Sequence, residues 1–281
     1  MTAYTIPPAQ TKTPLILNAG DTLTVDLHGR STDVTVNDEA RESVNVGGSS
    51  FRTTVNEGGK EFVNGGTAAV DKTVVDFTTI NGGNVILDHA TADNTRINFL
   101  PSAPFSQMDL HDHSVAKNTI IEGGGFLTGA RGLAVDATSI VDNVTFERPG
   151  GKGAGVALAD PQSLKGVIKG LAVNDYLQFG GLGAGESVDV TGFTLTNNRH
   201  DLTITYGNNQ HVTYHLADLQ ANTTFKLTHG TGADGSQESV LTVVKEPAPA
   251  ALVYHEHTPF EFDSPLVGFD AHHIHFGPGP H

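Results

Sequence analysis

Short stretches of alternating apolar and polar residues run along the chain, separated by turns rich in Gly, Asn and Asp. The first comprises residues 15–17, a turn at 18–21, and then residues 22–27 with Leu or Val at every second position. An apolar residue at every second position is typical of a half-buried strand. Helices are disfavoured, because paired glycines, Val, Thr and Asn are poor helix formers. The pattern therefore predicts an all-β protein built of short strands.

One unit recurs along the first half of the chain and is clearest in residues 55–69. There an apolar residue and Asn precede a Gly-Gly turn, a short strand, a second Asn-Gly-Gly turn and another strand. Similar units are centred on β-branched residues at steps of 19, 19, 23, 23 and 20, namely Val36, Val55, Val74, Ile97, Ile120 and Ile140. A period near 20 residues predicts a parallel right-handed β-solenoid, in which each coil stacks on the last.

The repeat also predicts which side chains face inward. We expect an apolar column inside the coils, with Val55, Val63, Val74, Ile97 and Ile120 among its members. We expect the Asn residues at the turns to form ladders with the Asn of the next coil. The unit at 55–69 is predicted to contribute geometry only, with no chemically reactive group.

The composition changes along the chain and divides it into five segments. We predict an N-terminal arm at 1–14, solenoid repeats at 15–147, a Gly-rich linker at 148–163, an antiparallel β domain at 164–245 and a Pro- and His-rich tail at 246–281. The β domain has longer strands and a hairpin signal at Gly207-Asn208-Asn209. A small sandwich-like domain of this kind is expected to cap the solenoid, whose end exposes unpaired strand edges.

Charge and composition limit the partners. The formal net charge is −15 with 16 basic residues, which argues against nucleic acid. No apolar run approaches the length of a membrane span. The absence of cysteine excludes disulfides and thiolate chemistry. The N-terminus lacks a basic region followed by an apolar run, so secretion or surface display is expected to use a route without the usual signal peptide.

The repeat at residues 54–68 resembles the strand-loop-strand repeat of AIDA-type autotransporter passengers, which alternates Val-Asn-x-Gly-Gly with x-Val-x-x-Gly-Gly-Thr-Ala. The clear match covers residues 34–98, with degenerate repeats to about residue 145. Residues 15–25 resemble the opening coil of such proteins. The resemblance implies a β-solenoid in a secreted or surface protein of bacteria, used for adhesion, aggregation or biofilm.

Histidine pairs are the strongest candidates for metal binding. The spacing i, i+2 places both rings on one face of a strand, which suits a divalent metal. It occurs at His111 and His113 and twice in the tail, at His255, His257, His273 and His275. The four tail histidines are the candidate ligands; a solvent-facing role is the alternative. No cofactor is predicted otherwise, although faint echoes of calcium repeats leave Ca²⁺ or another divalent metal open.

Catalysis is not predicted. No Gly-x-Ser-x-Gly elbow is present. The carboxylate pairs Asp88 with Asp93 and Asp109 with Asp112 could lie on one face of a coil, but polysaccharide-cutting solenoids usually add Lys or Arg there, and both are sparse in this chain. The leading hypothesis is an extracellular structural protein, adhesin-like, that self-associates into a fibre or biofilm matrix through head-to-tail strand contacts. A monomeric adhesin module that binds cell-surface glycans is the alternative, and a polysaccharide-degrading enzyme is a third hypothesis.

Overall fold

The computed structural model describes residues 1–67, 72–100, 106–122, 132–147, 153–182, 187–231 and 235–247. Its strands belong to one compact unit, Met1–Glu246. The first 22 strands are β1 Ala3–Ile6, β2 Thr11–Lys12, β3 Leu15–Leu17, β4 Thr22–Val25, β5 Arg30–Thr32, β6 Val34–Val36, β7 Arg41–Val44, β8 Ser49–Phe51, β9 Thr54–Asn56, β10 Lys60–Asn64, β11 Val74–Asp76, β12 Thr79–Asn81, β13 Asn84–Asp88, β14 Thr91–Asp93, β15 Arg96–Asn98, β16 Gln107–His111, β17 Val115–Glu122, β18 Leu133–Val135, β19 Ile140–Glu147, β20 Gly155–Leu158, β21 Leu164–Lys169 and β22 Tyr176–Gly180. The last five strands are β23 Val190–Thr196, β24 Asp201–Tyr206, β25 Gln210–Ala217, β26 Thr223–Thr231 and β27 Gln237–Lys245.

The all-β class and the parallel β-solenoid are confirmed. Each complete coil gives one strand to a first sheet and two short strands to a second sheet, and all these strands pair in parallel with the coils before and after. In the first sheet, strands β1, β4, β7, β10, β13, β16, β18, β20 and β22 follow one another in that order. Two one-turn 3-10 helices, Pro161–Ser163 and Asn197–Arg199, complete the regular structure of the described residues.

The inward column is confirmed in part and corrected in part. Val55, Val63 and Ile97 are buried in the core as predicted. Val74 and Ile120 instead face outward, and their neighbours Val75 and Ile121 are the buried residues. The reason is geometric: side chains alternate between the two faces of a strand, so an error of one position reverses the face.

The turns follow the predicted Asn and Gly chemistry. Asn18, Asn37, Asn56, Asn81 and Asn98 form a ladder in which the amide of each donates to the side-chain oxygen of the preceding one, at 2.8–3.3 Å. Gly58 has a positive φ of 73°, and a Cβ on Gly59 would overlap the carbonyl oxygen of Val36 in the preceding coil. Glycine suits both positions of this turn, although the equivalent turn of the preceding coil has Glu39, with a φ of 57°, and Ala40.

Coils extend beyond residues 15–147 at both ends. β1, β2 and β3 form the first coil, so strands occur in the segment predicted as an arm. β20, β21 and β22 continue the parallel stacking through the segments predicted as a linker and the start of the β domain.

The antiparallel strands form the predicted cap, and they extend both solenoid sheets. β27 and β26 follow β22 in the first sheet, while β25, β24 and β23 follow β21 in the second. The predicted hairpin at 207–209 connects β24 to β25. Among the described residues, no helix is both long enough and apolar enough to cross a bilayer.

Candidate functional site

From the second coil onward, the second sheet bends sharply at a residue in the left-handed region of the backbone. In successive coils this residue is Asp33, Arg52, Phe77, Asn94, Asn118, Asn143 and Gly166, with φ between 52° and 67°. Side chains at such a bend leave the regular alternation, so the bend residue points outward. The next residue points inward in the first six of these coils and is a buried threonine in four of them, whereas Val167, after Gly166, is 40% exposed. Asn, Asp and Gly tolerate this conformation, but Arg52 and Phe77 are unusual there.

A shallow groove runs along the bend on the outer surface. One side consists of bend residues, and the other side consists of residues two positions later, which stack in register. The lining residues are Arg52, Phe77, Asn94, Asn118 and Asn143 on one side and Thr54, Thr79, Arg96, Ile120 and Thr145 on the other. The groove has a volume of about 590 Å³. It spans five coils, which at the usual strand spacing corresponds to a length of about 19 Å.

The two arginines of the groove are paired with carboxylates. Arg52 donates to both oxygens of Asp33, with N···O distances of 2.6 and 2.7 Å, and these bonds lower the pKa of Asp33. Arg96 donates to Glu122 in the next coil and to Glu147 in the coil after that. The groove therefore presents fixed hydrogen-bond donors without a net positive charge.

Phe77 supplies an apolar surface within this polar groove. Its side chain is 50% exposed and packs edge-on against Phe51, with ring centroids 5.4 Å apart. The asparagines are fixed by neighbouring coils: Asn94 donates to Asp76 at 3.1 Å, and Asn118 donates to Asp93 at 3.0 Å. An exposed ring flanked by hydroxyl, amide and guanidinium groups suits a polyhydroxylated ligand, since the ring packs against C–H groups and the polar groups bind hydroxyls.

The carboxylate pairs weighed for catalysis do not come together as pairs. Asp88 lies at the end of β13 in the first sheet, whereas Asp93 lies at the end of β14 in the second. Asp109 is hydrogen-bonded to the Gln107 amide, and Asp112 lies at a left-handed corner. That the protein is not an enzyme stays a prediction.

A mixed cluster of His and Asp occupies the corner after β13 and β16. Ligand atoms of Asp88, His89 and Asp112 lie within 4.8 Å of one another, and His89 Nδ1 is 2.5 Å from Asp88 Oδ1. The ring of His113 stacks on His89 at a centroid distance of 5.9 Å. One imidazole and two carboxylates are a suitable donor set for a divalent metal. The structure thus joins His113 from the predicted His111–His113 pair to His89, which the spacing rule did not single out.

The four candidate ligands in the tail, His255, His257, His273 and His275, lie outside the described residues. Sequence reasoning also missed the groove residues Arg52, Phe77 and Arg96. The aligned repeats could have identified these residues, because each large side chain occupies an outward position at which other coils have Asn, Asp or Thr.

Comparison with known proteins identifies no family. No protein-family model matches the chain, and no curated protein sequence matches it. Nine chains of solved structures match. One is the crystal structure of a TibC-catalysed hyper-glycosylated TibA fragment, residues 55–350, with 17% sequence identity and a TM-score of 0.35, covering 59% of this chain and 70% of that chain. At this score the likeness has no bearing on function.

Proposed function

We propose that the protein is an adhesin-like protein of the bacterial surface or extracellular space, and that its solenoid binds an extended neutral glycan in the groove along the second sheet. The groove is the single observation that carries this proposal. The resemblance of the repeat at residues 54–68 to autotransporter passengers supports an extracellular location.

The shape of the groove favours a polymer over a small ligand. Equivalent side chains recur once per coil, so an elongated ligand meets similar groups at a regular spacing. The groove is shallow and open, whereas sites for small molecules enclose most of their ligand. Paired arginines disfavour a strongly anionic polymer, because each positive charge is already neutralised by Asp33 or by Glu122 and Glu147.

A glycan array tests this proposal directly. The purified chain is compared with Phe77→Asn, which removes the exposed ring from the groove, and with Phe62→Leu, which alters a partly exposed ring on the first sheet. We expect binding to neutral oligosaccharides that Phe77→Asn reduces roughly fivefold and Phe62→Leu leaves unchanged, since stacked aromatic contacts contribute about 1 kcal/mol. An absence of binding to any glycan, or equal binding by both variants, contradicts the proposal.

Fibre formation is a second candidate function, favoured by the sheet edges. In the described part of the chain the first sheet ends at β1 on one side and at β26 on the other, and neither strand has a partner on its outer edge. Joining β26 of one copy to β1 of another would continue one sheet from copy to copy. An unpaired strand edge is a template for such addition.

Electron microscopy and sedimentation distinguish the two candidates. Replacing Thr5 of β1 with proline removes a backbone donor at the edge, so filaments formed by edge pairing should be lost while glycan binding is kept. The matching control is Thr213→Pro in the interior strand β25, which is expected to unfold the cap instead. Single particles at every concentration of the unaltered protein would contradict fibre formation.

A further inference from the structure

Two glutamates face the interior of the solenoid in consecutive coils. Glu42 on β7 and Glu61 on β10 are direct neighbours in the parallel register of the first sheet, and both are 0% exposed. The same interior column continues with Leu23 on one side and Val85 on the other. Buried carboxylates are rare unless they are paired with a cation, and here each has the other carboxylate beside it.

Hydroxyl groups donate hydrogen bonds to both carboxyl oxygens of Glu42, but Glu61 has too few hydrogen-bond donors around it. Ser31 donates to Glu42 Oε1 at 2.6 Å, and Thr53 donates to Oε2 at 3.2 Å. Neither oxygen of Glu61 accepts a hydrogen bond of ordinary geometry within the described residues. Burial raises the pKa of Glu61 more than the hydroxyl of Ser50 lowers it, and Ser50 Oγ is itself hydrogen-bonded to Thr53 Oγ1 at 2.5 Å.

Among the described residues, no positive charge balances the pair. The other inward residues of the packed strands β4, β5, β8, β11 and β13 have no titratable side chain; they are Leu23, Val25, Ser31, Thr32, Ser50, Val75, Val85 and Leu87. Two ionised carboxylates side by side in this environment would be very unfavourable. The carboxyl groups must therefore carry protons or a bound cation.

We propose that Glu42 and Glu61 bind protons as a pair inside the solenoid, so that the N-terminal coils are more stable in mild acid than above neutral pH. The hydrogen-bond shortage at Glu61 favours a proton, because a protonated carboxyl both donates and accepts and can bond directly to its neighbour. The pair would thus act as a built-in pH sensor, independent of any ligand of the groove.

The direction of the pH effect follows from linkage. Burial raises the pKa of Glu42 from 4.5 to about 7, and burial together with the charge of Glu42 raises the pKa of Glu61. The folded state therefore binds more protons than the unfolded state between about pH 4.5 and about pH 7. The stabilisation is complete below this window and is lost as the pH rises through it. A difference of this size lowers the folding equilibrium constant on the order of 100-fold across the window.

Denaturant unfolding between about pH 4.5 and about pH 8 tests the proposal on the whole chain. The unaltered protein is compared with Glu42→Gln, Glu61→Gln and the control Glu57→Gln, an exposed turn residue of the same coil. We expect the unaltered protein and the control to lose stability with rising pH, and both core variants to lose much less. The four proteins differ only at these glutamates, so the comparison isolates the buried pair.

Two further measurements keep the result decisive. The ¹³C chemical shifts of the glutamate carboxyls in the unaltered protein should show one group that titrates near neutral pH, even if a core variant fails to fold. Unfolding is repeated with calcium and with a chelator. The proposal is overturned if stability does not change from about pH 4.5 to about pH 8, if no glutamate titrates above its usual range, or if calcium stabilises the unaltered protein but not the core variants.

Discussion

Arg96 and Glu147 join two coils that are not neighbours: Arg96 Nη2 lies 2.6 Å from Glu147 Oε2, across 51 residues of sequence. The intervening coil contributes Glu122, which accepts from the same guanidinium and is the direct neighbour of Glu147 in the sheet. One arginine therefore neutralises two stacked carboxylates that would otherwise repel each other.

We expect Arg96→Met to destabilise the fold by about 1–2 kcal/mol, because it removes the bridge and leaves like charges side by side. Arg52→Met, which breaks a single exposed pair with Asp33, should cost less. Combining Arg96→Met with Glu147→Gln should restore part of the loss. Denaturant unfolding measures the three variants and the unaltered protein, and equal effects of the two arginine substitutions would contradict a role in the three-residue network.

Phe77 occupies a backbone conformation that suits asparagine better. Phe77→Asn relieves the left-handed strain, worth about 1 kcal/mol, and loses an edge-on contact with Phe51 of similar size. We therefore expect the thermal midpoint to stay nearly unchanged while glycan binding falls. Phe77→Ala, which loses the ring without gaining a residue suited to this backbone, should be less stable than Phe77→Asn. The opposite order of stability would show that the bend is not strained.

Asn56 lies in the middle of the asparagine ladder and takes part in two side-chain hydrogen bonds, to Asn37 at 2.8 Å and from Asn81 at 3.3 Å. Each such bond contributes about 0.5–1.5 kcal/mol. Asn56→Ala should therefore cost about 2 kcal/mol, and Asn18→Ala, at the end of the ladder with one such bond, about half as much. Equal losses at the two positions would mean that the ladder adds no stability beyond the turns themselves.

The sequence predicts the solenoid well but its outer surface poorly. Period-two alternation and Asn-Gly-Gly turns identify the coils, because each coil must satisfy the same backbone geometry. The predicted faces of Val74 and Ile120 are wrong because the coils differ in length: Val55 is in register with Ile80, and Ile97 with Ile121. Arg52 and Phe77 give no local sign of a left-handed bend, so the groove becomes visible only when coils of unequal length are aligned.

The buried pair was missed for a related reason. Glu61 lies in the repeat that the sequence predicts to be free of chemistry, and a charged residue in a strand usually faces solvent. Only the register, which places Glu61 beside Glu42 and inside the coil, reveals it. Candidate sites in this fold depend on stacking between coils, and stacking is not a local property of sequence.

The Asp175 side chain ties the last coil to the coil before it, next to the cap. This carboxylate is fully buried, with Oδ1 2.9 Å from the backbone nitrogen of Ala154 and Oδ2 2.8 Å from that of Ala172. Its backbone carbonyl accepts from Val243 in β27. Asp175→Ala should destabilise the protein by about 3 kcal/mol, because two buried donors lose a charged acceptor. Asp160→Ala, which removes the cap of a one-turn 3-10 helix, should cost about 1 kcal/mol. If Asp175→Ala lowered the free energy of unfolding no more than Asp160→Ala does, the Asp175 carboxylate would not contribute as proposed.

Strong acid should destabilise the protein through different carboxyl groups from those that destabilise it at higher pH. Partial burial raises the pKa of Asp136, but hydrogen bonds from Ser139, Asp112 and Thr138 outweigh this effect and lower it overall. A group with a lowered pKa stabilises the fold above its unfolded value, near 3.8, and this stabilisation is lost as the pH falls through the folded value. Arg52 likewise lowers the pKa of Asp33, and His215 that of Asp201. Together with the glutamate pair, these shifts predict maximal stability in mild acid.

In unfolding curves recorded from strong acid to neutral pH, Asp136→Asn should reduce the loss of stability in strong acid and leave the stability above about pH 4.5 unchanged. If Asp136→Asn altered the stability in both pH ranges alike, the two sets of carboxyl groups would not titrate independently.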